Sequence, residues 1–383
     1  MTEDLAGGGG RPAPRWVRTL AGVVLAAVVV LGAVQAQHAT PSQVRPPDRD
    51  SGGPTDPPVD FGALPAGART GLRLVVGGHT VTELDLDGGT SRQVNGVPAV
   101  TRGYRLTRTD GGAIIAQAQP GCPACGSPVY VMTGGGPRVV RVDGYDAVVP
   151  AARPDRLWGY RLAPRQDRTG TVRELDLSGA PTGRAYPLPA GLSVQRGTVA
   201  GLLVVQCCGP NFALWNPATG RTLRQLGAVL AATADRVAWA VPACVLDCPV
   251  WLTDLATGVD RKVEVHADGL SRIQIESGSQ SVEGGAFSPD GGTLALLVPH
   301  RPSGGSTGPT QEVYLLTRDR VIRVVDSTVA AEIIPDMMWS GSRLVLTILR
   351  GGATPRLSIA TATLDRPELL RAGTLTGIAA VVR

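Results

Sequence analysis

The chain has 383 residues, 43% hydrophobic and only 4% aromatic, with 50 Gly and 31 Pro. That is material for one large all-β domain with many tight turns and little for a second domain. The formal net charge of +5 is partly carried by Arg11, Arg15 and Arg18 near the N-terminus, so the remainder is weakly basic and nucleic acid is not an expected partner. Almost every basic residue is Arg, the expectation for the codon usage of a GC-rich genome rather than a binding signature.

In chain order, residues 1–18 form a polar, positively charged tail expected to face the cytoplasm. An apolar run from Thr19 to Val34 follows, giving a segment over 19–36 that reads as a transmembrane anchor or as a signal peptide cleaved after Val34-Gln35-Ala36. No Cys follows the run, which excludes a lipoprotein anchor. Residues 37–70 include Arg45-Pro46-Pro47 and Pro54-Thr55-Asp56-Pro57-Pro58, the composition of a disordered, Pro-rich stalk that buries no core. The expected location is the plasma membrane, single-pass, with the C-terminal domain outside, or the exterior after cleavage of the signal.

From residue 71 to 383 one pattern repeats. Its clearest copy is Ala286-Phe287-Ser288-Pro289-Asp290-Gly291-Gly292-Thr293-Leu294-Ala295, a strand, a turn and a second strand. Echoes stand at Thr109-Asp110-Gly111-Gly112, Pro154-Asp155-Arg156-Leu157, Ala234-Asp235-Arg236-Val237 and Ser340-Gly341-Ser342-Arg343. A second repeated element, Thr80-Val81-Thr82-Glu83-Leu84-Asp85, is nearly respelled as Thr171-Val172-Arg173-Glu174-Leu175-Asp176. Further copies begin at Val129, Phe212, Val250, Val313 and Leu357. With one longer interval, the spacing is roughly 40 to 47 residues, the period of four-stranded propeller blades. Six strand sets begin near Ala99, Tyr145, Leu192, Val229, Val282 and Ile333. A seventh is split: Leu72–Val76, Val81–Leu86 and Ser91–Val94 lack an inner strand, which the C-terminal Gly377–Val382 supplies. The expectation is an all-β, seven-bladed β-propeller closed by its own ends, with six or eight blades as alternatives.

These residues resemble the TolB-type and WD-like propellers, whose blades read aromatic-Ser-Pro-Asp-Gly before a Leu-Ala strand and then a strand ending in Asp-Leu-Asp-Gly-Gly. The resemblance covers the chain from about Gly71 onward and implies the propeller fold and an extracytoplasmic place. The Trp-Asp ending and Gly-His opening of true WD repeats are missing. Cys207-Cys208, with Asn216-Pro217-Ala218-Thr219-Gly220 and Asp254-Leu255-Ala256-Thr257-Gly258, also resembles quinoprotein propellers. That likeness implies a pyrroloquinoline quinone oxidoreductase as the alternative function. It departs where Leu226 stands in place of a docking tryptophan and where no calcium constellation can be picked out.

Six cysteines form three close pairs, Cys122 with Cys125, Cys207 with Cys208 and Cys244 with Cys248, each in a connection from a second to a third strand. Even count and export favour disulfides. Pairing within each hairpin is the simplest connectivity, and bonds between Cys207 or Cys208 and Cys244 or Cys248 remain open. A zinc site from Cys122, Cys125, Cys244 and Cys248 would need ligands from blades far apart around the ring. A redox pair at Cys122 would need a helix N-terminus that the hairpin loop does not provide.

The four histidines, His38, His79, His266 and His300, lack metal-ligand spacing, and no HExxH, Walker loop or GxSxG elbow is present. Asp85-Leu86-Asp87-Gly88 and Asp143-Gly144-Tyr145-Asp146 read as hairpin turns rather than calcium loops. No catalytic residue, cofactor or metal is therefore expected. The expected function is a membrane-tethered, non-enzymatic binding or scaffold module, a monomer whose partner is a protein or a cell-wall polymer. Its candidate binding loop is the insertion after Pro299, with Arg301, Ser303, Ser306 and Thr307, on the face that carries the cysteine pairs. Arg102, Tyr104, Arg105, Asp146, Glu283 and Asp336 are placed at the channel mouth, facing water.

Overall fold

The computed structural model describes residues 71–382 except 72, 86, 120–126, 135–137, 163–168, 207–210, 242–249, 264–283, 301–309, 319–320, 325–331, 351–355, 364–369 and 377–379. The predicted tail, apolar segment and stalk lie outside the described residues. So do all six cysteines and Arg301, Ser303, Ser306 and Thr307.

The described regular elements are strands, arranged as seven four-stranded antiparallel sheets. Blade 1 contains β1 (Arg73–Gly77), β2 (Val81–Asp85) and β3 (Thr90–Gln93). Blade 2 contains β4 (Tyr104–Arg108), β5 (Ile114–Ala118), β6 (Val129–Thr133) and β7 (Arg138–Val142). Blade 3 contains β8 (Ala147–Pro150), β9 (Arg156–Arg161), β10 (Gly170–Asp176) and β11 (Pro181–Leu188). Blade 4 runs through β12 (Leu192–Thr198), β13 (Gly201–Gln206), β14 (Phe212–Asn216) and β15 (Arg221–Leu226). Blade 5 runs through β16 (Ala228–Ala232), β17 (Arg236–Ala240), β18 (Val250–Asp254) and β19 (Asp260–Val263). Blade 6 is β20 (Gly285–Phe287), β21 (Leu294–His300), β22 (Thr310–Leu316) and β23 (Val321–Arg323), and blade 7 is β24 (Glu332–Ser340), β25 (Arg343–Arg350), β26 (Arg356–Thr363) and β27 (Leu370–Thr376). The last strand, β28 (Ala380–Val382), returns to blade 1 and pairs with β1, matching Val75 to Val382, Val76 to Val381 and Gly77 to Ala380. The seven blades and the split first blade are those expected from the repeat.

Burial follows radial position. The second and third strands, A to D being counted from the inside out, lie between neighbouring blades and are apolar on both faces, as in Ile114-Ile115-Ala116 of β5 and Leu202–Val205 of β13. Fourth strands form the rim, and β3 is exposed at all four positions. Each described core cluster sits between two successive blades. Val81, Tyr104 and Tyr130 pack between blades 1 and 2, and Val131, Val148, Leu157 and Leu175 between blades 2 and 3. Leu203, Phe212, Leu226 and Val237 pack between blades 4 and 5, and Val313, Leu315, Trp339 and Leu344 between blades 6 and 7. Burying each such side chain stabilises by roughly 1.5–3 kcal/mol, so the ring is held by many equivalent interfaces rather than one centre.

Two expectations are corrected. The inner strand placed near Ala99 begins five residues later at Tyr104, because Val100 N–H donates to His79 O (2.8 Å) and Tyr104 N–H to Gly78 O (3.0 Å), spending residues 99–103 on a tie to blade 1. Tyr104 does not face water at a channel mouth. It is 1% exposed, meets Tyr130 edge-on at 6.1 Å, and its hydroxyl donates to Pro98 O at 2.6 Å. Glu283 lies outside the described residues.

Burial, helped by neighbouring Tyr130, pushes the Tyr104 pKa up to about 12 from the usual 10.0. The folded value lies above the unfolded one, so the stability this group contributes is complete below pH 10 and is lost as pH rises through about 12. Tyr104→Phe is expected to cost about 1 kcal/mol at neutral pH and to flatten the fall of the thermal midpoint over that alkaline window. Parallel pH profiles for parent and variant would refute the assignment.

Candidate functional site

Strand polarity divides the loops between two faces. The A-to-B and C-to-D turns emerge on one, the B-to-C and D-to-A connections on the other. Side chains shape the first face. Ser288 Oγ accepts from Thr293 N–H (2.9 Å) and donates to Asp290 Oδ1 (2.5 Å), which also accepts from Gly292 N–H (2.9 Å). The C-to-D turns use an Asx residue at the strand end. Asp85 Oδ1 accepts from Asp87 and Gly88 N–H, Asn216 Oδ1 from Ala218 and Thr219 N–H, and Asp254 Oδ1 from Ala256 and Thr257 N–H. The Ala-Thr-Gly sequences that resembled quinoprotein blades are thus two instances of a turn device that Asp176 also provides with Ser178 and Ala180.

These bonds hold the carboxyls below their usual range. For Asp176 and Asp290 the leading cause is the serine hydroxyl two residues away, and for Asp254 it is Thr257 N–H followed by its hydroxyl. At the rim, burial pushes the Asp260 carboxyl up, but hydrogen bonds from Arg224 of blade 4 and from Thr253 outweigh it and leave the value lowered.

Side chains also join blades across the first face. Arg196 of β12 pairs with Asp110 of blade 2, Gly111 packs against Pro154 of blade 3, and Arg236 of β17 donates to Gly291 O of blade 6.

The second face carries a cleft of about 450 Å³ between blades 2 and 3. Its floor is the D-to-A connection Asp143–Asp146, and its walls bring in Tyr130, Arg141, Tyr145 and Arg161. Arg141, at the end of β7, donates from Nε to Asp143 Oδ1 at 2.7 Å, and both side chains are more than half exposed. Arg161, at the end of β9, donates from Nε to Gly144 O, so its fork reaches over the connection. Gly144 has φ +86°, and a Cβ there would stand 2.9 Å from an Arg161 Nη atom. Gly159 permits a second close approach, since a Cβ on it would lie 2.7 Å from the Tyr145 ring.

Asp146 is tied on both sides. Its N–H donates to Tyr160 O (2.9 Å), its carbonyl accepts from Gln117 Nε2 (2.9 Å), and its Oδ2 accepts from Leu162 N–H (2.7 Å). Tyr160 beneath it has a raised pKa, chiefly from burial; Arg105 opposes the shift and Asp146 adds to it. The carboxylates of Asp143 and Asp146 thus serve an arginine and a backbone amide, and among the described residues no group of three or more His, Cys, Asp or Glu is placed to hold a metal ion.

Of the residues singled out in the sequence, Asp143 and Asp146 reach this cleft, and Arg105 lies near it through its influence on Tyr160. Tyr104 stands behind the cleft wall through Tyr130. The cysteine pairs and Arg301, Ser303, Ser306 and Thr307 lie outside the described residues. Sequence reasoning missed Arg141 and Arg161. The available signal for Arg161 was Gly144, whose φ of +86° favours glycine and which lies beside the Arg161 guanidinium.

No known family profile and no curated protein matches the sequence. Solved structures do. One is from a study of two prolyl endopeptidases, with a TM-score of 0.49, 13% identity, and coverage of 79% of this chain and 46% of that one. Another is a puromycin-hydrolysing peptidase of Mycobacterium tuberculosis, with a TM-score of 0.43, 15% identity, and coverage of 77% and 49%. TolB of Acinetobacter baumannii has a TM-score of 0.41, 13% identity, and coverage of 80% and 65%. The chain spans about half the length of the two peptidases and just under two thirds of that TolB chain. The expected function, a membrane-tethered, non-enzymatic scaffold with a quinone oxidoreductase as its alternative, is corrected by this result: the neighbours include propeller-bearing peptidases, and at such identity they assign no clear function. The likeness is one of fold, a seven-bladed β-propeller in this chain.

Proposed function

We propose that the propeller recognises a small molecule in the cleft between blades 2 and 3, and that the ligand presents an anionic group, carboxylate or phosphate, to Arg141 and Arg161. The observation that carries this reading is the convergence of two guanidinium groups, each engaged through Nε, on a cleft of about 450 Å³. A guanidinium has five N–H donors, so the Nη groups of each are suited to grip a planar or tetrahedral oxyanion. The volume falls in the range of small-ligand sites. Tyr130 and Tyr145 supply aromatic surface beside the arginines.

A charge-assisted hydrogen bond contributes roughly 1.5–3 kcal/mol, about ten- to hundredfold in affinity. Calorimetric titration of the full-length chain with acetate, succinate and inorganic phosphate is expected to show saturable binding by at least one of them. Arg141→Ala and Arg161→Ala should each weaken it by that factor. Arg184→Ala should not, because that guanidinium stacks on Tyr186 at the outer strand of blade 3. Equal losses in all three variants, or no saturable binding, would remove the reading.

A further inference from the structure

The cleft is not simply cationic. Each arginine that lines it has an acidic neighbour in the same connection, Asp143 beside Arg141 and Asp146 beneath the chain that Arg161 crosses. Two guanidinium groups and two carboxylates leave its formal charge at zero. A ligand carrying only negative charge can pair with the arginines but leaves the two carboxylates unmatched, and one carrying only positive charge leaves the two guanidinium groups unmatched. A ligand with one charge of each sign satisfies both.

The anchoring of the charged groups favours the same ligand. Asp146 is fixed by three contacts: both blades hold its backbone, Tyr160 O accepting from its N–H and Gln117 donating to its carbonyl, and Leu162 N–H of blade 3 holds its carboxylate at Oδ2 before any ligand arrives. Only Oδ2 is used by Leu162, and Oδ1 is the atom suited to accept from an ammonium group. Arg161 is fixed across Gly144. The charges are therefore set on opposite-signed, pre-positioned supports, and the tyrosine rings and Pro128 lie among them as an uncharged surface.

Resting on the proposed function above, we infer that the ligand is a zwitterion of amino-acid or short-peptide type, its carboxylate taken by the arginine pair and its ammonium by Asp146, with Asp143 as the second acceptor. The proposal deepens that reading by naming the class of the small molecule and adds a cation subsite to the anion subsite.

The test uses the full-length chain and four probes: alanyl-alanine, its N-acetyl derivative, its C-terminal amide and inorganic phosphate. The free dipeptide is expected to bind, and blocking either end should weaken it at least tenfold. Asp146→Asn keeps an oxygen to accept Leu162 N–H, so it should fold with an unchanged thermal midpoint while losing the preference for the free over the acetylated dipeptide. Asp143→Asn provides a second variant should Asp146→Asn prove unstable, with a smaller loss of the same preference. If the acetylated dipeptide binds as well as the free one, the cation subsite is overturned and the anion site stands. Phosphate binding with no dipeptide binding likewise overturns the zwitterion alone. Absence of binding by any of the four probes overturns this inference together with the reading beneath it.

Discussion

Removal of residues 376–383 is expected to lower the thermal midpoint of the propeller more than any other change of similar size. Those residues contain β28, the innermost strand of blade 1, which matches β1 at Val75, Val76 and Gly77. Without it, β1 becomes an edge strand with unpaired N–H and C=O groups, and blade 1 is left with its backbone ties to blade 2, from Val100 N–H to His79 O and from Tyr104 N–H to Gly78 O. Lost ladder bonds over the three paired positions, at about 1 kcal/mol each, amount to roughly 3 kcal/mol. For a domain of this size that is a fall of very roughly 10 °C, using 2–4 °C per kcal/mol. Circular dichroism melts of parent and truncated chain measure it. A truncated chain that melts with the parent would show that β28 contributes nothing to closure.

Trp215→Ala is expected to cost about 3–5 kcal/mol, the range for deleting a large buried aromatic. Trp215 is 1% exposed and lies between blades 3 and 4 among Tyr160, Val172, Leu188 and Val204. Its position is the third strand of blade 4, where both faces of the sheet meet neighbours, so the cavity cannot be filled from solvent. The indole Nε1 is buried and has no hydrogen-bond partner. An unpaired buried donor is itself destabilising, by about 1–3 kcal/mol. Trp215→Phe removes that donor along with part of the volume, and the two effects oppose each other. Chemical denaturation should therefore give a loss for Trp215→Phe well under half that for Trp215→Ala. Equal losses would mean that the indole N–H finds an acceptor in solution.

How much of this was written in the sequence depends on the distance over which the information is held. All seven third strands were legible, from Val81–Asp85 to Arg356–Thr363, because alternation and the following Asx turn are local and repeat with the blade. Ring closure was legible because one blade lacked its inner strand and the C-terminus supplied a spare one. The start of β4 was misplaced because the residues before it bond to His79 and Gly78 in the preceding blade, an exchange that no local pattern encodes. Tyr104 looked like a polar residue of an inner strand, yet its hydroxyl is satisfied by Pro98 six residues upstream, which lets the ring enter the core. The cleft was least legible of all. Arg141 and Arg161 are separated by a blade boundary and converge only when two sheets pack side by side. Asp143–Asp146 reads locally as a hairpin turn, whereas it joins blade 2 to blade 3, and its partners, Arg141 and the amide of Leu162, come from the two sides of that junction.

The ties across the opposite face bear on how the cleft accommodates a guest. Asp110 of blade 2 is bound to Arg196 of blade 4, and Gly111 rests on Pro154 of blade 3, so these three sheets are stitched along one margin. On the other margin blades 2 and 3 are joined by the connection Asp143–Asp146 itself, to which Gln117 of blade 2 and Arg161 and Leu162 of blade 3 are hydrogen-bonded. With both margins fastened, the cleft meets a guest as a surface already shaped rather than one that must be moulded around it.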